Sequence, residues 1–287
     1  MIKKILVIGG TGLLGFPVAN QLKQEGYEVD ILTSNPGNAI KKCGKDYHYV
    51  KGDVKNISTL YNVFREYQGI HINLNSSSYK ELKEIEVNGC RNIAEAAATY
   101  DIKKITMISG LGVKPANAGI PFVNGKLNAE NAVKDSGIPY TIFNCTHFIE
   151  SISLYIRNGK AMIMGQQKNK IHWLSAEDYA RMVSKSFEVR ESDFKNYSLV
   201  GPEPYTMEEV FRKYVEKVDP EIKVTKVALG MLGFIAAFTF NSKLKFVVDL
   251  MRYFDKTPEQ YDKENLPAIL GTATTTLDSW LEQQRKS

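Results

Sequence analysis

Two groups of residues in this 287-residue chain have the types and spacing that chemistry needs. The first is the run Gly9-Gly10-Thr11-Gly12-Leu13-Leu14-Gly15. It fits both G-x-x-G-x-x-G, through Gly9, Gly12 and Gly15, and G-x-G-x-x-G, through Gly10, Gly12 and Gly15. In either frame one glycine permits a tight turn, one removes the Cβ that would hold a pyrophosphate off the main chain, and one lets helix and strand approach. A helix starting directly after such a turn offers N–H groups and the positive end of its dipole to phosphate, so the pattern points to a dinucleotide. The second group centres on Lys126, with Phe122 one turn earlier on the same helix face. Cys145 and His147 follow the next apolar run, where they could line a pocket beside Lys126. The four histidines form no close-spaced ligand pair, so no metal site is expected. Cys43, Cys90 and Cys145 are odd in number and far apart, which fits a reducing compartment rather than a disulfide framework.

The elements that must position these groups follow from the hydrophobic pattern. Ile2, Ile5, Leu6, Val7 and Ile8 read as a buried parallel strand that breaks directly into the glycines. A helix and a second strand, 28–32, follow and end at Thr33-Ser34-Asn35. Further strands are predicted at 47–50, 70–74, 105–108 and 140–143, separated by helices that include 58–67, capped by Ser58, and 84–98. Strands alternating with helices require right-handed crossovers and a doubly wound parallel α/β sheet. The expected organisation is a dinucleotide-binding unit over 1–150 and a smaller substrate-binding lobe over 151–287, with segments near 171–200 returning to the first unit. In such a sheet the ligand meets the carboxyl ends of the strands, which makes the loop Asn75-Ser76-Ser77-Ser78 well placed.

Thr33 stands where a dinucleotide site specific for NAD usually has an acid for the ribose hydroxyls. Asp30 falls too early and is expected at an edge or facing solvent. A neutral Thr/Ser/Asn rim with Lys41 and Lys42 nearby does not repel a 2′-phosphate, so the cofactor expectation leans to NADP over NAD. The chain is 43% hydrophobic and 24% charged, ordinary globular usage, with a net charge of +5 spread along its length. That spread gives no case for a nucleic-acid partner. The strand begins almost at once, so no cleavable signal and a cytoplasmic location are expected. The most apolar run, 227–240, is too short to span a bilayer and reads first as a buried helix or a cavity wall, with contact to a membrane surface the lesser alternative.

The ordered pieces IGGTGLLG, KGDV, NLNSSS, EVNGCRNIAEAA, ITMISGLGV, GKLNAENAVKDSGIPYTIF, HWLSAEDYARMV and YSLVGPEPYTMEEV resemble the short-chain dehydrogenase/reductase superfamily, in its extended and atypical NmrA-like branches. The stretch SGIPYTIFNCTHF is similar to the isoflavone and phenylpropanoid reductases in particular. The resemblance implies a Rossmann fold. It implies that Gly9, Thr11, Gly12, Leu13, Leu14 and Gly15 hold the pyrophosphate, and that Thr33 and Ser34 flank the adenosine ribose. It further implies that Asp53 and Val54 edge the adenine and that Asn75 and Ser76 approach the nicotinamide ribose. The family's Tyr-x-x-x-Lys is represented here by Phe122 and Lys126, and phenylalanine has no proton to transfer. Lys126 is therefore the implied catalytic and ribose-binding group, with Ser109, Phe122, Cys145 and His147 around the substrate. The expected activity is NAD(P)-dependent reduction of a small, fairly apolar carbonyl or conjugated compound. The alternatives are a non-catalytic redox sensor or assembly factor and, third, a nucleotide-sugar epimerase or dehydratase.

Overall fold

Residues 2–285 are described by the structure, a computed structural model. Its centre is laid down by β1 (Lys4–Ile8), β2 (Glu28–Thr33), β3 (His48–Lys51), β4 (Gly69–Ile72), β5 (Lys104–Gly110) and β6 (Tyr140–Cys145). Three short strands follow, β7 (Ile156–Arg157), β8 (Lys160–Met164) and β9 (Ile171–His172), before β10 (Lys195–Leu199) returns to pair with β6. The sheet is seven-stranded, in the order β10-β6-β5-β4-β1-β2-β3, and each adjacent pair runs parallel. Ile5, Leu6, Val7 and Ile8 are all buried because helices cover both faces, which is why β1 reads as a continuous apolar run.

In chain order the helices are α1 (Gly15–Gln24), α2 (Pro36–Cys43), α3 (Ile57–Phe64), α4 (Tyr79–Glu81), α5 (Asn88–Ala97), α6 (Pro121–Lys134) and α7 (Ala176–Ser186). They are followed by α8 (Met207–Lys217), α9 (Leu229–Phe238), α10 (Ser242–Lys256) and α11 (Leu277–Gln284). Helices α1 and α7 fill one face of the sheet with Val18, Leu22, Tyr179 and Val183, while α3, α5 and α6 fill the other with Leu60, Ile93 and Val133. A separate core joins Ile163, Trp173, Met207, Phe211, Leu277 and Leu281, so that β8, α8 and α11 form a lobe beside the carboxyl ends of the strands. There β12 (Lys223–Val227) pairs with β8, and β11 (Pro204–Tyr205) pairs with β9.

Three local expectations change. Helix α3 is capped by Asn56, whose side chain accepts the Ser58 N–H, so it starts one residue before the predicted serine cap. Asp30 is buried, not at a solvated edge: it accepts from the Tyr67 hydroxyl at 2.6 Å and lies 3.2 Å from Lys4 Nζ. The apolar run over 227–240 is not buried either; of helix α9 only Ala236 is buried, and Phe234 is 72% exposed.

The return of the chain to the sheet is fastened by Lys104, whose buried ammonium donates to Ser186 O at 2.6 Å, Ser192 Oγ at 2.7 Å and Asp193 Oδ1 at 2.5 Å. Burial pulls the Lys104 pKa below its usual value, against the opposing effect of Asp193. Removing the carboxylate leaves that charge unmatched. Asp193→Ala should destabilise the fold by about 3 kcal/mol in denaturant titration, whereas the exposed Lys185→Ala should change it by less than about 0.5 kcal/mol.

Candidate functional site

At the middle of the sheet the chain reverses direction between β1 and β4, and the loops leaving these two strands meet. Gly9 has φ +83°, and a Cβ there would stand 2.2 Å from the carbonyl oxygen of Asn73. A Cβ on Gly15 would stand 2.3 Å from the Gly9 carbonyl oxygen, which already accepts the Gly12 N–H at 3.0 Å. The frame Gly9-Gly12-Gly15 is thus the one built into the turn. Helix α1 opens at Gly15 with no side-chain cap and no acid in its first turn, leaving its positive end to a ligand.

Gly12, Leu13 and Leu14 form one edge of a cavity of about 470 Å³. Asn73, Leu74 and Asn75 continue it from β4, and Ser109 to Gly112 from β5. Phe122 and Lys126 come from α6, and Cys145, His147 and Phe148 follow β6. The far wall is Leu250, Met251, Tyr253 and Phe254 of α10. The expected residues Gly12, Leu13, Leu14, Asn75, Ser109, Phe122, Lys126, Cys145 and His147 are therefore brought together, with Gly9 and Gly15 in the turn behind them.

A second cleft, about 480 Å³, lies between Thr11, Thr33, Asn35, Asn38, Lys41 and Lys42. The Lys42 ammonium donates to the Thr11 carbonyl at 2.6 Å, which sets a cation beside the glycine turn. Ser34 is exposed outside the lining of this cleft. Asp53 and Val54 also lie outside both linings: the Asp53 carboxylate accepts the Lys55 N–H at 2.9 Å, and Val54 is buried, with the Val54 carbonyl accepting from Asn92. Ser76 is turned away too, donating to Glu86 Oε1 at 2.5 Å.

Glu86 is the residue that sequence reasoning missed. It is 2% exposed and sits in a π-helical turn, Leu82–Val87, that joins α4 to α5. Its other oxygen takes the Lys126 ammonium at 2.6 Å. The available signal was position: Glu86 shares the inward stripe of Leu82, Cys90 and Ile93, where a carboxylate must have partners. Tyr253 was missed as well. Its ring meets Phe122 edge-on at 5.8 Å, and its hydroxyl accepts from Asn117 Nδ2 at 3.3 Å while lying over Gly112.

The polar groups of the cavity differ in what they can do. Ser109 Oγ is buried and has no hydrogen-bond partner among the described residues, so it is free to meet a ligand. Burial pushes the Cys145 thiol well above its usual pKa, which keeps it from acting as a thiolate. His147 packs against Phe254 at 4.4 Å and Trp173 at 5.7 Å, and burial lowers its pKa to about 4. His172 is held at 2.6 Å by Glu259, which lines the cavity, while His172 itself is not part of the lining. Among the described residues no group of three or more His, Cys, Asp or Glu is placed to hold a metal ion, and no helix is long and apolar enough to cross a membrane.

A parallel sheet in this order, with a glycine turn at its centre and a cavity across the adjoining strand ends, defines a Rossmann-type protein of the atypical short-chain dehydrogenase/reductase class. The profile of the NmrA-like family matches residues 1–265, and the chain belongs to that family. It is 28% identical to a relative named photosystem II assembly factor Ycf39 from Guillardia theta, over 97% of this chain and 93% of the relative. In fold it is similar to an NADPH-dependent quinone oxidoreductase from Escherichia coli solved with NADPH, with TM-score 0.76, 19% identity, and coverage of 97% of this chain and 99% of that one. It is also similar to a Citrobacter sp. triphenylmethane reductase solved with NADP(H), with TM-score 0.76, 17% identity, and coverage of 98% and 99%.

The buried imidazoles make stability depend on pH. His147 and His71, the latter lowered to about 3, stay neutral in the folded chain where the unfolded chain protonates near 6.5. The unfolded state therefore binds more protons between about pH 4 and 6.5, and stability should rise with pH across that window. His147→Gln should flatten the rise, as read from denaturation midpoints between about pH 4.5 and 7.

Proposed function

We propose that the protein is an NADP(H)-dependent reductase of a flat, largely apolar conjugated or carbonyl compound of the quinone type. The observation that carries this reading is Ser109: a buried, unpartnered hydroxyl in the wall of an apolar cavity whose opposite edge is the glycine turn. When bound, the cofactor supplies hydride.

The chain's own residues then divide the work. The main chain of Gly12, Leu13 and Leu14 and the open end of α1 hold the pyrophosphate. Lys42 and Lys41, with Thr33, Asn35 and Asn38, offer donors and positive charge to a 2′-phosphate, a group that an acid at Thr33 would repel. Asn75 and Lys126 face the nicotinamide ribose, and Glu86, itself held by Ser76, fixes where the ammonium points. Ser109 donates to the substrate oxygen. Phe122 stands where the superfamily's usual tyrosine would deliver a proton, and the Tyr253 ring packs edge-on against it with its hydroxyl taken up by Asn117 over Gly112, leaving an apolar wall at that point. That wall favours substrates whose reduced form is stabilised by conjugation and takes its proton from water. The quinone and triphenylmethane specificities named for the two structural neighbours support this choice.

A second reading, an assembly factor that uses the bound dinucleotide as a structural or redox cue, is favoured by the Guillardia theta relative, which the chain matches over nearly its whole length. Activity separates the two.

Lys42→Ala should raise the Kd for NADPH about tenfold while leaving that for NADH nearly unchanged, measured by calorimetry. Equal losses for both cofactors would remove the cleft from cofactor selection. Ser109→Ala should lower kcat/KM for quinone reduction about a hundredfold with NADPH affinity retained. If the unaltered protein binds NADPH yet oxidises none of it across a panel of quinones and conjugated carbonyls, the reductase reading fails and the assembly reading replaces it.

A further inference from the structure

Residues 222–248 contain no aspartate or glutamate and four lysines, Lys223, Lys226, Lys243 and Lys245. Helix α9 lies between the two lysine pairs and carries no polar side chain at all. Met231, Phe234, Ile235 and Phe238 recur at the spacing of one helix face and are 54%, 72%, 40% and 77% exposed. Phe240, just beyond the helix, is 93% exposed. The rings of Phe234 and Phe238 stack on each other at 6.2 Å, so water contacts a continuous apolar stripe. Soluble chains seldom leave so much aromatic surface together without a use for it.

The surroundings say what the stripe fits. Its ten residues make a helix of about 15 Å, half of what a bilayer crossing needs, so it can lie in an interface but cannot span one. Helix α10 backs it, with Val248 beside Gly233, and the Arg252 guanidinium crosses over Gly233, adding a cation on that side. Lys243 and Lys245 are 68% and 63% exposed at their side chains. The ion pairs they make, Lys243 with Glu81 at 3.8 Å and Lys245 with Asp249 at 2.6 Å, are surface pairs. The same holds for Lys226 with Glu208 at 2.6 Å and Arg252 with Asp249 at 3.4 Å. Such pairs contribute little and can be exchanged for lipid phosphates. A protein groove would call for polar rim groups along α9 to satisfy its edges, and α9 has none.

We infer that α9 is an interfacial anchor: it docks the protein on an anionic lipid bilayer, with the Met231–Phe238 stripe and Phe240 at the acyl boundary and the flanking lysines among the headgroups. This takes up what the sequence offered only as the lesser alternative for the segment, and it is independent of the reductase reading, since it concerns binding alone.

The test is co-sedimentation of the full chain with phosphatidylcholine vesicles, with and without phosphatidylglycerol. Binding should require the anionic lipid and weaken as salt is raised. Phe234→Ser and Phe238→Ser should each weaken it about tenfold. Lys243→Gln and Lys245→Gln should each weaken it about fivefold. These side chains are exposed, so all four variants should melt like the parent protein. In Phe238→Trp the indole emission should shift to the blue when anionic vesicles are added. The inference is overturned by an unaltered protein that stays in the supernatant with anionic vesicles, or by binding that survives loss of both phenylalanines. It is equally overturned by a dimer in gel filtration that the Phe234→Ser/Phe238→Ser pair disperses, because a second copy would then be what covers the stripe.

Discussion

The rest of the structure is arranged around a close approach between main chains. The Gly9 carbonyl sits under the first turn of α1, and the Asn73 carbonyl sits under Gly9, at distances that leave no room for a Cβ on either Gly9 or Gly15. This contact pins the loop after β1 to the loop after β4 and aims the start of α1 across the strand ends. A phosphate-binding edge made from backbone needs no long side chains, and it leaves the crevice beside it free for substrate. The order β3-β2-β1-β4 puts that crevice at the only place in the sheet where the chain has turned both ways, so topology and glycine chemistry specify one location.

Elsewhere in the fold three buried charges find partners from distant elements. Glu86 is matched by Lys126 and Ser76, Asp30 by Tyr67 and Lys4, and Lys104 by Asp193 and two serine oxygens. Buried pairs of this kind are weak sources of net stability, because desolvation offsets most of the attraction. What they provide is placement. The π-helical turn at Leu82–Val87 swings Glu86 inward over α6, and this keeps the Lys126 ammonium at the cavity wall where an unpaired lysine would snorkel to solvent.

The parallel strands and their glycine turn were legible in the sequence because they rest on short-range rules. A buried parallel strand is a continuous apolar run, a serine or threonine before an amphipathic run caps a helix, and Ser175 and Thr206 do so for α7 and α8. The partners across the fold were not legible. Glu86 and Lys126 are far apart in the chain, and no periodicity says that two helices will bring them together. Asp30 looked like an edge residue because its partner Tyr67 belongs to another element. The 227–240 run failed for a different reason. Hydropathy reports what a segment would gain by leaving water, not whether the rest of the chain has a surface to receive it, and α9 meets α10 and, through Leu229, the turn at Gly165, with the rest of its apolar surface left in water.

The α10 wall of the cavity is held in two ways. Its first half packs through Phe246 and Leu250 on Leu82, Phe122 and Val123. Polar ties hold its last turns: Asp255 accepts the Gln166 and Gln167 N–H groups at 3.1 and 2.6 Å, and the Gln167 amide donates to Met164 and Met251 carbonyls. Asn169 donates to the Phe254 carbonyl at 3.1 Å, and Glu259 gathers Thr146 and His172. Hydrogen bonds from side chain to main chain fix the end of the helix without using its cavity-facing side chains, which pack instead on the cavity's own residues, Tyr253 on Phe122 and Phe254 on His147. In the reductase reading, the glycine turn that would hold the dinucleotide is built from main-chain contacts and the α10 wall that would meet the substrate from side-chain ones, so the second can vary between proteins of this fold while the first is kept.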